Sequence, residues 1–180
     1  MRARGSSVAV RLLINGLVFI GVVVAQRDSG PADAPKPLQP PKEQSLIMHV
    51  RGKGDQVYVC QGAGGAYAWK LKGPDAKLYS ESGELAGRHF AGPTWEANDG
   101  SRVIAQVAAN VPSPEPGSIP WLLLTAKAHE QSGIMAKVQS IQRLDTKGGV
   151  APSSGCSAAN ENQQMAVPYE ADYYFYGSSR

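Results

Sequence analysis

Five side chains that could bind a ligand or transfer protons fall within twelve residues near the middle of the chain: Arg88, His89, Trp95, Glu96 and Asp99. A histidine and a carboxylate separated by a tight turn can face each other, and such a pair can orient a ligand hydroxyl or act as general acid and base. The tryptophan would add a flat apolar surface on which sugar rings or other planar ligands rest. We therefore predict a ligand-binding site here, with the histidine and either carboxylate as the candidate catalytic pair.

The same segment also has a structural interpretation. Arg88 and Glu96 are spaced to form a cross-strand ion pair, while Phe90 and Trp95 would fill the core. Tryptophans in small β domains usually pack inward, which favours this second interpretation.

A second aromatic group lies near the end of the chain, at residues 173–176. With the period of two that a strand has, one face of this group would be core and the other partly exposed. An exposed pair of Tyr174 and Tyr176 could form a ligand platform, or it could cover a sheet edge.

Other sequence patterns give no support to a cofactor, a metal or a nucleophile. The glycine-rich turn at residues 62–65 leads into a strand pattern, whereas a dinucleotide-binding turn needs a helix to receive the pyrophosphate. The three histidines lie about forty residues apart, without the short spacings that bring two metal ligands together. No Gly-x-Ser-x-Gly motif occurs. We expect no cofactor and no metal site.

An antiparallel sheet must position these residues, because the chain from residue 44 onward consists of short alternating apolar and polar runs split by turn residues. Turns are predicted at residues 52–55, 73–75 and 98–100, the last containing the strong Asp-Gly signal. No segment shows a helical period with caps at both ends. The sequence predicts one all-β domain, residues 44–180, of about eight to ten short strands, and leaves open whether they form a β-sandwich or a barrel.

The beginning of the chain predicts export. Arg2, Arg4 and Arg11 form a basic leader, and the apolar run at residues 12–24 is too short to cross a bilayer comfortably. We predict a cleavable signal peptide over residues 1–25 and no stable membrane span after cleavage, with an uncleaved anchor as the alternative. The protein would then be periplasmic or secreted.

Residues 26–43 contain five prolines and few apolar side chains, so a proline-rich disordered linker is predicted there. The three leader arginines account for the whole excess of 18 basic over 15 acidic residues. The chain after cleavage is therefore formally neutral, and we expect no binding to nucleic acid.

Two cysteines, Cys60 and Cys156, remain in the predicted domain. An exported protein meets an oxidising compartment, where an even cysteine count favours a disulfide. Closing a loop of nearly a hundred residues would stabilise the fold by about 4–5 kcal/mol on the chain-entropy account.

Five segments resemble an exported bacterial and fungal family known as domain of unknown function 3455. They are residues 56–60, 87–96, 118–124, 148–152 and 167–176, the second of which reads Gly-Arg-His-Phe-Ala-Gly-Pro-Thr-Trp-Glu. The resemblance spans the predicted domain, and it implies an exported single-domain protein with paired cysteines.

The leading functional hypothesis is a non-enzymatic exported module that binds a carbohydrate or another envelope or extracellular ligand through Arg88, His89, Trp95 and Glu96. One alternative is a small hydrolase or lyase that uses His89 with Glu96 or Asp99. Another is a structural or protein-interaction domain whose aromatic residues are all core.

Overall fold

A computed structural model describes residues 30, 31 and 33–178. Eight antiparallel strands form one sheet, which closes into a barrel because the first strand pairs with both the second and the last. The strands are β1 (Gln44–Ala63), β2 (Ala66–Tyr79), β3 (Leu85–Phe90), β4 (Thr94–Ala97), β5 (Arg102–Val111), β6 (Trp121–Glu130), β7 (Ser140–Gly148) and β8 (Gln164–Ser178). Within the described residues, no helix is long and apolar enough to span a membrane.

The all-β prediction is confirmed, and of the two architectures the barrel is the one observed. Every strand pairs with the next strand in the chain, so each connection joins two neighbouring strands of the barrel. In the described part of the chain, three single-turn 3-10 helices lie outside the sheet, at Lys36–Leu38, Met135–Lys137 and Ala158–Asn160. The predicted signal peptide lies outside the described residues.

Two of the predicted turns are not turns. The chain runs through residues 52–55 inside β1, which has 20 residues, and through residues 73–75 inside β2. Gly52 and Gly54 serve close packing instead: a Cβ on Gly52 would lie 2.6 Å from the Tyr173 ring, and one on Gly54 would lie 2.3 Å from the Asp75 carbonyl oxygen. Glycine in a strand thus marks a close approach here rather than a strand end.

The barrel interior is an apolar core built from alternate residues of the strands. Val50, Leu78, Ile141 and Phe175 are fully buried in it. At one end, where β6 leads into β7, the buried side chain of Met135 closes the core. The other end, where β3 turns into β4, holds the cavity described below and is called the cavity end.

Part of the predicted linker packs on the outside of the barrel. Leu38 has no exposed surface and contacts a cluster that includes Leu144 and Tyr174, and its carbonyl accepts a hydrogen bond from Gln142 Nε2 at 2.7 Å. Leu38 is the large apolar side chain of this proline-rich stretch, and it covers apolar groups that strands β5 to β8 direct outward. Within residues 33–43 the chain therefore packs on the barrel, while residues 26–29 and 32 of the predicted linker lie outside the described residues.

The predicted disulfide forms between Cys60 and Cys156, whose Cα atoms are 5.4 Å apart. It fastens the loop between β7 and β8 to the β1–β2 hairpin. Two hydrogen bonds help: Trp69 Nε1 donates to Ser154 O at 2.9 Å, and Tyr58 Oη donates to Gly149 O at 2.6 Å.

Candidate ligand-binding cavity

The pairing of β3 with β4 divides the predicted central cluster between the two faces of the sheet. Arg88 lies opposite Glu96, and His89 lies opposite Trp95. Because neighbouring residues of a strand point to opposite faces, the first pair is on the outer surface and the second is inside the barrel. The structure therefore does not bring His89 and Glu96 together, and the acid–base pair expected from the sequence is not formed.

The outer pair is part of a chain of ion pairs. Glu96 accepts hydrogen bonds from Arg88 Nε at 2.9 Å and from Arg102, and Arg102 also donates to Glu130 at 2.9 Å. The bonds from Arg88 and then Arg102 hold the pKa of the Glu96 carboxyl below its usual value. Phe90 lies outside as well, with its ring centroid 5.0 Å from the Arg88 guanidinium carbon, so its predicted place in the core is wrong.

Asp99 holds two loops together at the end of β4 remote from the cavity end. Its carboxylate accepts from the backbone N–H and the hydroxyl of Ser101 and from the Ile134 N–H at 2.8 Å. The hydroxyl bond from Ser101 is the first cause of a lowered pKa for this carboxyl. These contacts join the β4–β5 turn to the β6–β7 loop, and they do not include His89.

Tyr174 and Tyr176 share the outer face of β8, yet they do not form an exposed platform. Tyr176 is fully buried where the segment around Gly30 and Leu38 passes over it, and its hydroxyl donates to Gln142 Oε1. Tyr174 stacks on His49 with ring centroids 4.2 Å apart.

The inward-facing residues line a cavity of about 250 Å³ at the cavity end. Strands β1 to β7 all contribute to its wall. Its apolar lining is Leu71, Pro74, Pro93, Trp95, Val107, Leu122 and Leu124, with Gly73 and Gly92, and its polar lining is Gln56, Lys72, His89 and Arg143.

Two polar groups in this wall are buried without a partner. Trp95 is 1% exposed and Gln56 is 2% exposed, and neither Trp95 Nε1 nor Gln56 Nε2 makes a hydrogen bond. Nearly all buried polar groups in folded proteins are paired, and an unpaired one costs about 1–3 kcal/mol. Each of these two donors therefore lacks an acceptor, which a bound molecule would have to supply.

His89 contributes a hydrogen-bond acceptor to the cavity wall. Its Nδ1 lies 2.8 Å from the Thr94 carbonyl oxygen, which can only accept, so the proton is on Nδ1 and Nε2 keeps a lone pair. Burial lowers the pKa of His89 to about 3, with only 3% of the residue exposed, so the ring is neutral at physiological pH. A base with so low a pKa is poorly matched to general base catalysis near pH 7.

The flat face of Trp95 is not available to a sugar ring. The imidazole of His89 stacks on it with centroids 4.1 Å apart, and Tyr173 and Phe175 contact it edge-on. Trp95 therefore has an unpaired indole N–H but lacks the free flat surface expected from the sequence.

Both charged residues of the lining are cations. Arg143 donates from Nε and Nη2 to the Pro120 carbonyl oxygen, at 3.2 and 2.8 Å, and makes no ion pair with the described residues. Lys72 Nζ donates to the neutral Gln164 Oε1 at 3.0 Å. Among the residues that the structure describes, no aspartate or glutamate lines the cavity.

Gln56 and Arg143 were not among the residues singled out from the sequence. Arg143 stands in a mostly polar strand, two residues after the buried Ile141 and on the same face. This spacing, which puts a charge on the same strand face as an apolar residue, was the available signal. Gln56 gave no comparable signal, because the alternation of residues 56–60 does not show which face of the strand points into the barrel.

Among the residues that the structure describes, no group of three or more histidine, cysteine, aspartate or glutamate side chains is placed to hold a metal ion. The fold and the cavity together define a closed eight-stranded antiparallel barrel with a ligand-sized cavity at one end. The chain belongs to the family described as Protein of unknown function (DUF3455), whose model matches residues 40–177. No curated protein and no solved structure matches the chain.

Proposed function

We propose that this protein is a non-enzymatic, exported binding protein that holds a small and mostly apolar ligand in the cavity at the end of its barrel. The observation that carries the proposal is the pair of buried, unpaired donors on Trp95 and Gln56 in an otherwise largely apolar wall. The mouths of β-barrels are frequent ligand sites, and such sites combine apolar walls with a few convergent polar groups.

The largely apolar lining of the cavity favours an apolar ligand over the carbohydrate that the sequence suggested. A sugar needs many hydrogen-bonding partners and a flat aromatic surface, and the face of Trp95 is occupied by His89. Leu71, Leu122 and Leu124 instead offer apolar contact. A sugar remains a defined outcome of the test below.

Export of the protein is supported by the basic and apolar leader in its sequence and by the disulfide between Cys60 and Cys156. Disulfides form and persist in oxidising compartments and are rare in the cytosol. The ligand would then be one that is encountered in the periplasm or outside the cell.

The test is the melting temperature of the oxidised protein with benzyl alcohol, indole and 1-octanol, and with glucose and cellobiose. A ligand that binds only the folded state stabilises it by about 2.7 kcal/mol at a hundredfold excess over its dissociation constant. We expect a shift with at least one apolar compound and none with the sugars.

Two matched variants place the binding in the cavity. Val107 lines the cavity and is 53% exposed, whereas Leu85 is 51% exposed and does not line it. Val107→Trp should abolish the shift by filling the entrance, and Leu85→Trp should leave it unchanged. A flat response to every apolar compound, a shift that survives Val107→Trp, or a shift with the sugars alone would overturn the proposal.

A further inference from the structure

The charge of the cavity narrows the class of ligand. We infer that the natural ligand is an apolar molecule with a single carboxylate, which Arg143 recognises together with the N–H donors of Gln56 and Trp95. This inference rests on the proposed function. The apolar body would lie against the leucine side chains of the wall.

The first argument is the uncompensated positive charge. Arg143 and Lys72 are the charged residues of the lining, no acidic side chain lines it, and Arg143 has no ion-pair partner among the described residues. A guanidinium beside apolar walls interacts more strongly with an anion than it would in water, because the local dielectric constant is lower. An anionic group on the ligand would compensate this charge.

The second argument is the geometry of the guanidinium. Its Nε and Nη2 atoms each donate one hydrogen to Pro120 O, a further hydrogen bond joins the group to the Tyr173 side chain, and two of its five N–H bonds remain available. The two bonds to one carbonyl oxygen fix the plane of the group before a ligand arrives, which reduces the entropy lost on binding. A carboxylate is the planar acceptor that such a group binds best.

The third argument is the chemistry of the neutral donors. Gln56 Nε2 and Trp95 Nε1 are buried and unpaired, and both can only donate. An ionised carboxylate only accepts, so its oxygens are chemically complementary to these donors and to the guanidinium. The lone pair of His89 Nε2 is left for a water molecule or for a hydroxyl group of the ligand.

The size of the cavity limits the apolar part. About 250 Å³ is slightly below the range of about 300 Å³ and upward that is typical of ligand pockets, so a single ring or a short chain would fill it. Leu71 and Val107 are both more than half exposed at the entrance. A longer apolar tail would leave the cavity between these two side chains.

The experiment is titration calorimetry of the oxidised protein at pH 7 with two pairs of compounds that differ in charge and little in shape. Phenylacetate is compared with phenylacetamide, and octanoate with octanamide. We expect each carboxylate to bind at least tenfold more tightly than its amide, and we expect this preference to shrink as salt is added.

Variants assign the preference to Arg143. Arg143→Met should leave acid and amide binding with equal affinity, and Arg143→Lys should keep part of the preference. Arg51→Met removes a cation that does not line the cavity and should change nothing. The wild-type comparison of acid with amide tests the inference even if a variant fails to fold.

The outcomes separate this inference from the proposed function. If the amides bind as tightly as the acids, and Val107→Trp abolishes both, the cavity binds ligands but the carboxylate class is overturned. If an acid preference persists in folded Arg143→Met, the assignment to Arg143 is overturned. If neither acids nor amides bind, both proposals fall.

Discussion

His89 is neutral in the folded protein because its imidazole lies between Trp95 and Tyr173, away from water. Burial is the main cause of its low pKa, and the nearby Arg143 guanidinium acts in the same direction, while the bond to Thr94 O opposes both. A protonated imidazole would also give the cavity wall a further positive charge. The ring is therefore better suited to accept a hydrogen bond than to exchange protons.

This burial predicts a pH dependence of stability. An unfolded histidine titrates near pH 6.5, and the folded His89 titrates near 3, so between these values the unfolded state binds a proton that the folded state does not. The free energy of unfolding should fall as the pH drops from 6.5 towards 3, by up to about 1.4 kcal/mol per pH unit from this group alone. Above pH 6.5 the group should contribute no pH dependence.

Urea unfolding at pH 7.5, 6 and 5 measures this effect in the wild type and in His89→Gln. The variant should be less stable at pH 7.5, and its free energy of unfolding should vary less between pH 6 and 5 than that of the wild type. Parallel pH profiles for the two proteins would contradict the buried, neutral state of His89.

At the scale of the strands, the sequence predicted the alternation well and the strand ends less well. The spacing of Arg88 and Glu96 predicted a cross-strand ion pair, and the structure contains this pair between β3 and β4. The sequence wrongly predicted turns at residues 52–55 and 73–75. Glycine and proline are typical of turns, but they also occur within strands where two backbones approach closely. Only the paired strand shows which of these applies.

The N-terminal segment illustrates the same limit. The prolines over residues 26–43 predicted a disordered linker, whereas Leu38 packs on an outer apolar patch to which β5, β6, β7 and β8 contribute. Local composition carries no information about an apolar patch that distant strands assemble.

A substitution of Leu38 tests the role of this cover. Leu38→Ala should lower the free energy of unfolding by about 2–5 kcal/mol, since a fully buried leucine is truncated. Leu85→Ala, at a position 51% exposed, should change it by less than about 0.5 kcal/mol. Urea unfolding of both variants measures the difference, and equal effects would show that residues 33–43 do not stabilise the barrel.

For the whole molecule, the closure of the sheet decides which residues share the cavity. Gln56 of β1, Trp95 of β4 and Arg143 of β7 are separated by dozens of residues, and they line one wall because eight strands form a ring. The sequence allowed either a sandwich or a barrel, and in a sandwich the inward residues would meet different partners. The strands could therefore be predicted, but the composition of the cavity could not.

The most direct test of the ligand-binding cavity is the indole N–H signal of Trp95 in ¹H–¹⁵N spectra, recorded as phenylacetate or phenylacetamide is added. Trp69 is the internal control, because its Nε1 already donates to Ser154 O and it does not line the cavity. We predict that the Trp95 signal moves and saturates when its unpaired donor gains an acceptor, while the Trp69 signal stays in place. A Trp95 signal that remains unchanged at high concentrations of both compounds would contradict the account.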